Sequence, residues 1–250
     1  MKPIDQSTDL QRYYQDRDVV AQYLRRRTAQ PLNGTLHDAE VAFLNALVRE
    51  RRPGRVLEIA PGPGRLTAEL EFDGQGAALD ASPGMLGVAR ERLRERGREW
   101  LFLRGDGFTL PFADRSFDLV YTLKFVRHFQ LDDRKRLYGE IRRVLRPGGV
   151  FAQDAQNRHV SLPHREKKGL DRYAIYDVLY DSEQELRAEM EGAGFKVVRV
   201  AGILKHFAVQ QKLNRLRRIG LAPLARALIG ALEQVPGSQP STWMVAGEVS

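Results

Sequence analysis

Between residues 55 and 200 the chain keeps switching period. Short apolar runs at 55–59, 75–79, 100–103, 117–122, 150–154 and 195–200 alternate with amphipathic helical patterns, and 241–249 adds a seventh run. The clearest helix is 133–145, where Leu137, Ile141, Val144 and Leu145 share a face before Pro147-Gly148-Gly149. A second helix spans 85–96. A strand–helix alternation of this length can bury its apolar faces in essentially one way. Right-handed crossovers build a parallel sheet with helices on both sides. The expected architecture is therefore α/β and doubly wound.

The flanking segments read differently. The first 50 residues are helical in pattern, with Val19, Val20, Tyr23 and Leu24 on one face and a second run over 36–49. They form an N-terminal helical cap, 1–50, on a main domain, 51–250. Residues 158–181 are a polar, aromatic-dotted connection expected to act as a lid. Ser182 and Glu185 form a capping box for the next helix, which Gly194 closes. Residues 202–240 are a helical insertion before the last strand. Leu224, Leu228 and Leu232 repeat there at helical spacing, and no acidic residue lies between Glu191 and Glu233.

Composition removes several chemistries. The 250 residues contain no cysteine, which excludes disulfides, thiolate metal sites and a cysteine nucleophile. No metal site is expected. The first residues lack the apolar run of a secretory signal, and no segment is apolar enough to span a bilayer, so the expected compartment is the cytoplasm. The formal charge is +8, and 32 of the 40 cations are arginine, a side chain suited to phosphates and carboxylates.

The most informative stretch is VLEIAPGPGRLT, residues 56–67. A strand ends in an acid and a small-residue loop, after which a helix is expected. Glycines at such a loop let the backbone approach a ligand closely. Asp80 follows Glu58 by 22 residues at the end of the second strand, where a carboxylate can accept hydrogen bonds from a ribose diol. Asp106, in Gly105-Asp106-Gly107, is placed on the same rim for an exocyclic amine. The three acids suit an adenosine-like ligand. A dinucleotide fits less well. Thr67 stands where that fingerprint wants a small residue, and the Glu58 carboxylate would repel a pyrophosphate.

Four ordered blocks, VLEIAPGPGRLT, ALDASPGML, GDGFTLPFADRSFDLVYT and EIRRVLRPGGVF, resemble class I S-adenosylmethionine-dependent methyltransferases, in the broad group that includes quinone-biosynthesis and other small-molecule enzymes. The resemblance covers about residues 10–200. It implies a Rossmann-like, seven-stranded, mostly parallel sheet and S-adenosyl-L-methionine as cofactor. It further implies that Glu58 and the backbone at Ala60 hold the methionine amino group, and that Gly62 and Gly64 let the loop pass the cofactor. Asp80 would bind the ribose, Ala81 and Met85 wall the adenine, Asp106 and Gly107 take its amine, and Thr122 and Leu123 line the region of the methyl. Ala60 stands where the family usually has glycine.

Methyl transfer from a sulfonium is an in-line displacement that needs a base only when the acceptor loses a proton. His128, just after the fourth strand, is the candidate. Tyr13, Tyr14 and His159 are candidates for touching the substrate. The expected substrate is a small or lipid-linked molecule methylated on O, N or C. The basic segment 205–226 is a candidate contact with anionic membrane, and nucleic acid is disfavoured as a partner. Two alternatives stay open: an RNA or protein methyltransferase, and a non-catalytic S-adenosylmethionine-binding partner protein.

Overall fold

The computed structural model describes residues 30–169, 178–237 and 239–249. The expected helical face at 19–24, Tyr13, Tyr14 and the lid's 170–177 lie outside them. Seven strands form one sheet: β1 (Arg55–Ile59), β2 (Gln75–Asp80), β3 (Leu101–Arg104), β4 (Phe117–Thr122), β5 (Leu145–Gln156), β6 (Phe195–Ile203) and β7 (Thr242–Val249). Their spatial order is β3-β2-β1-β4-β5-β7-β6. The first five pair in parallel, and β7 runs antiparallel to both β5 and β6. The strand order reverses between β1 and β4, and the crevice at that switch point, outside the carboxyl ends of the strands, is where open α/β sheets bind ligands.

Helices cover both faces. On one, Leu137, Ile141 and Val144 of α3 (Leu131–Val144) and Leu186 and Met190 of α5 (Glu183–Gly192) are fully buried against Leu57, Val120 and Phe151. On the other, Leu44 and Leu47 of α1 (Pro31–Arg51) share a buried cluster with Val56, Tyr121 and Ala246, which Ile229 of α7 (Ala222–Glu233) joins where that helix lies against α1. α2 (Pro83–Arg94) covers β2 and β3 with Leu86, Ala89 and Leu93. Every residue of β4 is buried, as expected for a strand covered on both sides.

Local chemistry sets the element ends. Pro31 opens α1 in the first turn, where a missing N–H costs nothing. Ser82 caps α2 by accepting from the Met85 amide at 3.3 Å. Asp132 and Asp133 sit in the first turn of α3, favourable against its dipole. The capping box at α5 forms with a one-residue offset. The Ser182 hydroxyl accepts from the Glu185 amide, while the Glu185 carboxylate accepts from the amide of Asp181.

Three elements differ from the sequence reading. No α-helix follows the glycine loop. The chain makes turns and a short 3-10 helix, Thr67–Glu69, because Thr67 is drawn inward onto Glu58. Residues 158–168, read as an irregular connection, begin with α4 (Arg158–Lys168), whose start Asn157 caps by accepting from the His159 amide at 3.0 Å; Pro163 inside it masked the pattern. Leu145 belongs to β5 rather than to the preceding helix, since it pairs with Phe117.

The insertion is the connection of an antiparallel hairpin, since Ile203 of β6 pairs with Thr242 of β7. It comprises α6 (Phe207–Leu213), a 3-10 turn (Asn214–Ile219) and α7. β6 is parallel to β1–β5, so the insertion leaves the sheet at the carboxyl rim. None of the described helices is long and apolar enough to cross a membrane.

Candidate active site

A cleft opens at the carboxyl ends of β1, β2, β3 and β4, on the switch point. Its empty volume, open mouth included, is about 920 Å³. One wall is the backbone of Ala60 and Gly62. The second is Asp80 to Met85, the third Gly105 to Phe108, and the fourth Leu123 to Phe125 with His128 and Phe129.

The loop after β1 is built on left-handed backbone. Ala60 has φ 55°, Gly62 φ 56° and Gly64 φ 69°. The Ala60 amide donates to the Leu79 carbonyl at 2.8 Å, which ties the loop to β2. An alanine in this region costs about 1–2 kcal/mol that glycine avoids. Gly62 leaves open space where a side chain would stand, whereas a Cβ on Gly64 would lie 2.8 Å from the Ala89 Cβ of α2. Gly62 thus faces the cleft, and Gly64 serves the close packing of loop on helix.

The three acids have different surroundings. Asp80 lies on the cleft floor. Its Oδ2 accepts from the Gly62 amide at 3.0 Å and its Oδ1 from the Ser82 amide at 2.8 Å. Burial pushes its carboxyl above the usual range, and these amide bonds oppose the shift. A carboxylate offers about four acceptor sites, so both oxygens keep capacity for a diol. Asp106 is exposed at the mouth. One oxygen accepts from the Phe108 amide at 3.0 Å, leaving the other for a ligand. Glu58 is different: it is buried and is not part of the cleft wall. Its Oε2 accepts from the Thr67 hydroxyl and, at 2.8 Å, from the Tyr121 hydroxyl. Burial raises its pKa to about 7, with those two donors pulling the other way.

Thr122 is also buried outside the wall, its hydroxyl donating to the Ile59 carbonyl at 2.6 Å, while Leu123 lines the cleft. His128 is buried at the end of a 3-10 turn, Val126–His128, and forms part of the wall. His159 is exposed on α4 and does not reach the cleft. The structure therefore gathers Ala60, Gly62, Asp80, Ala81, Met85, Asp106, Gly107, Leu123 and His128 into one wall. It leaves Glu58, Gly64, Thr122 and His159 outside it.

Sequence reasoning missed two groups. Phe108, Phe125 and Phe129 form an edge-to-face cluster, with ring centroids 4.9 Å apart in both pairs, and give the cleft an apolar end. The second group is ionic. Glu40 of α1 is fully buried between Arg65 of the glycine loop, at 2.6 Å, and the Lys124 ammonium. Lys124 has φ 63°, and its amide donates to Asp154 of β5. Arg65 also reaches Nδ1 of His37, whose pKa is lowered by burial and by that guanidinium, so the ring accepts as a neutral base. One carboxylate thereby ties two cleft loops to α1. A lone Glu in a helical pattern carries no signal of this, since its partners lie far along the chain.

Asp118 belongs to neither group. It sits at the opposite end of the sheet, where it accepts from the amides of Gly54 and Arg55 at 2.6 and 2.8 Å and pairs with Arg146.

The residues present fit an S-adenosyl ligand: Asp80 retains acceptor capacity beside an open glycine, Asp106 has an uncommitted oxygen at the mouth, and Met85 offers an apolar face between them. A pyrophosphate against the loop after β1 would meet the Asp80 carboxylate, and that loop opens no α-helix whose N-terminus could receive it.

Comparison with known proteins agrees. Residues 57–153 match the family described as a methyltransferase domain. Residues 57–153 are similar to a methyltransferase domain, and that likeness supports S-adenosylmethionine as the ligand of the cleft. Its relatives include enzymes of small molecules. A demethylmenaquinone methyltransferase of Thermus thermophilus is 40% identical over 106 residues, 41% of this chain and 47% of that protein. The O-methyltransferase cnsE of Penicillium expansum is 31% identical over 172 residues, 66% and 60% respectively. The chain thus spans about half the length of the curated relatives it matches. Among solved structures, the magnesium protoporphyrin IX methyltransferase of Synechocystis with bound SAH superposes with a TM-score of 0.65 over 98% of this chain and all of that one, at 14% identity, a likeness of fold.

Proposed function

We propose that the protein is an S-adenosylmethionine-dependent methyltransferase that transfers a methyl group to a small-molecule or lipid-linked acceptor by in-line displacement. The observation that carries this is the cleft itself: a rim bearing Gly62, Asp80 and Asp106 at the switch point ends in a cluster of three phenylalanines. The cofactor supplies the reactive methyl when bound. The chain's own residues bind and align. Asp80 accepts from the ribose hydroxyls, Ala81 and Met85 bracket the base, and Asp106 with Gly107 receives its amine. The Ala60–Gly62 backbone borders the amino-acid tail, and Glu58, Gly64 and Thr122 hold that backbone from behind. Leu123 and the three phenylalanines exclude water beside the reacting centre, which lets alignment within about 3–3.5 Å dominate the rate. His128 receives the acceptor's proton where one is lost. Tyr13 and Tyr14 are the proposed acceptor contacts, and His159, which lies outside the cleft wall, takes no part. The enzyme works in the cytoplasm, peripheral to a membrane.

Calorimetric titration of the full chain with S-adenosylmethionine and with its demethylated product tests this reading. Binding of both is expected. Binding of neither, or of NADPH in their place, ends it.

A further inference from the structure

The described surface distributes its large exposed apolar side chains unevenly. Of nine, six lie between Val209 and Val235, in the insertion. Ile219 is 69% exposed, Leu221 42%, Leu224 48% and Leu228 40%. On α7 the inward face is Ala225 and Ile229, both fully buried, and the outward face carries Leu224, Leu228 and the small Ala227. The outward stripe is thus set by a well-seated inner face, not by a helix left loose. Arg226 holds both oxygens of Asp38 on α1, Asn214 accepts from the Leu32 amide at 3.2 Å, and Glu233 accepts from the amides of Leu204 and Lys205.

Beside this stripe stand Lys212, Arg215, Arg217 and Arg218, all exposed and none in an ion pair among the described residues. No acid occurs from residue 192 to residue 232. An exposed apolar stripe bordered by four cations, with the neighbouring acid Asp38 already taken up by Arg226, marks an interaction site, and its chemistry matches the interface of an anionic bilayer, which takes apolar side chains below a layer of negative headgroups. Other occupants fit worse. A two-fold contact between copies would bring four cations against the same four. A single-stranded nucleic acid needs stacking platforms, and Phe207 is the sole aromatic residue from 207 to 233.

We infer that the outer face of the insertion, Lys212 to Leu228, docks the protein on membranes rich in anionic phospholipid. The insertion leaves the sheet at the carboxyl end of β6, so the docked segment and the cleft mouth share one end of the sheet, the end a lipid-borne acceptor would approach. The consequence for a lipid-borne acceptor rests on the methyltransferase reading; the docking does not.

The test is flotation of the full chain with vesicles of phosphatidylglycerol and phosphatidylcholine against vesicles of phosphatidylcholine alone. Binding to the first and at least tenfold weaker binding to the second is expected. R215Q/R217Q/R218Q and, separately, L224S/L228S should each lower partitioning about tenfold or more, with circular dichroism and S-adenosylmethionine affinity unchanged. Equal binding to both vesicle types, wild-type binding by both variants, or a dimer that L224S/L228S dissociates without any vesicle binding would overturn the inference. Failure of cofactor binding with vesicle binding intact would remove the enzymatic reading alone.

Discussion

The carboxyl rim is made of two kinds of material. Its cleft side, from Ala60 to Phe129, consists of short loops whose shape is written in the backbone: left-handed residues at 60, 62 and 64, and acids that fix amide groups. Its other side, α4 and the insertion, consists of helices held by side-chain contacts such as Arg226 with Asp38. The family match ends at residue 153, close to where the first kind gives way to the second. A shared cofactor demands a shared backbone. An acceptor and a docking surface demand only a place to stand, which side chains can provide in many ways.

The largest expected effect comes on the first side, at the carboxylate that ties its loops to α1. Glu40→Ala leaves Arg65 and Lys124 buried without their common anion. Stability should fall by about 3–5 kcal/mol, read in urea unfolding, and a loss below about 1 kcal/mol would show that α1 does not bind the loops together. Next is a pH effect behind the cofactor loop. Glu58 has its pKa raised from 4.5 to about 7, so the fold holds a proton that the unfolded chain releases. Its stabilising contribution is whole below pH 4.5 and lost as pH rises through about 7, a span of up to about 3 kcal/mol. Glu58→Gln should remove that part of the slope, and identical pH profiles for the two proteins would contradict the assignment. Asp80→Ala should weaken S-adenosylmethionine by about 1–3 kcal/mol with little change in melting temperature. Unchanged affinity would move the ribose elsewhere. Smallest is Ala60→Gly, which releases left-handed strain at the cost of unfolded-chain entropy, for a net gain of up to about 1 kcal/mol. Thermal melting decides this, and a destabilised variant would mean that Ala60 is not strained.

The same division explains what could be read from residues alone. The strands, α2, α3 and the rim acids Asp80 and Asp106 were legible because their signals are local: period, punctuation, and an acid at a strand end. Glu58 was legible as an acid at the rim, but its inward commitment depends on Tyr121, 63 residues away. Glu40 was not legible at all, because Lys124 lies 84 residues on and a helix surface pattern cannot tell a solvated carboxylate from a buried one. α4 was hidden by Pro163, and its start rests on a single Asn157 cap. Contacts that close across the sheet leave no period in the chain.

The central claim is a location: the nucleoside of S-adenosylmethionine sits between Gly62, Asp80 and Asp106. A crystal structure with the demethylated cofactor tests it directly. The account predicts both ribose hydroxyls on the Asp80 carboxylate, the adenine against Met85, and the sulfur turned toward Leu123 and the phenylalanine cluster. Density for the ligand anywhere else on the molecule, or a ribose whose hydroxyls do not meet Asp80, would contradict it.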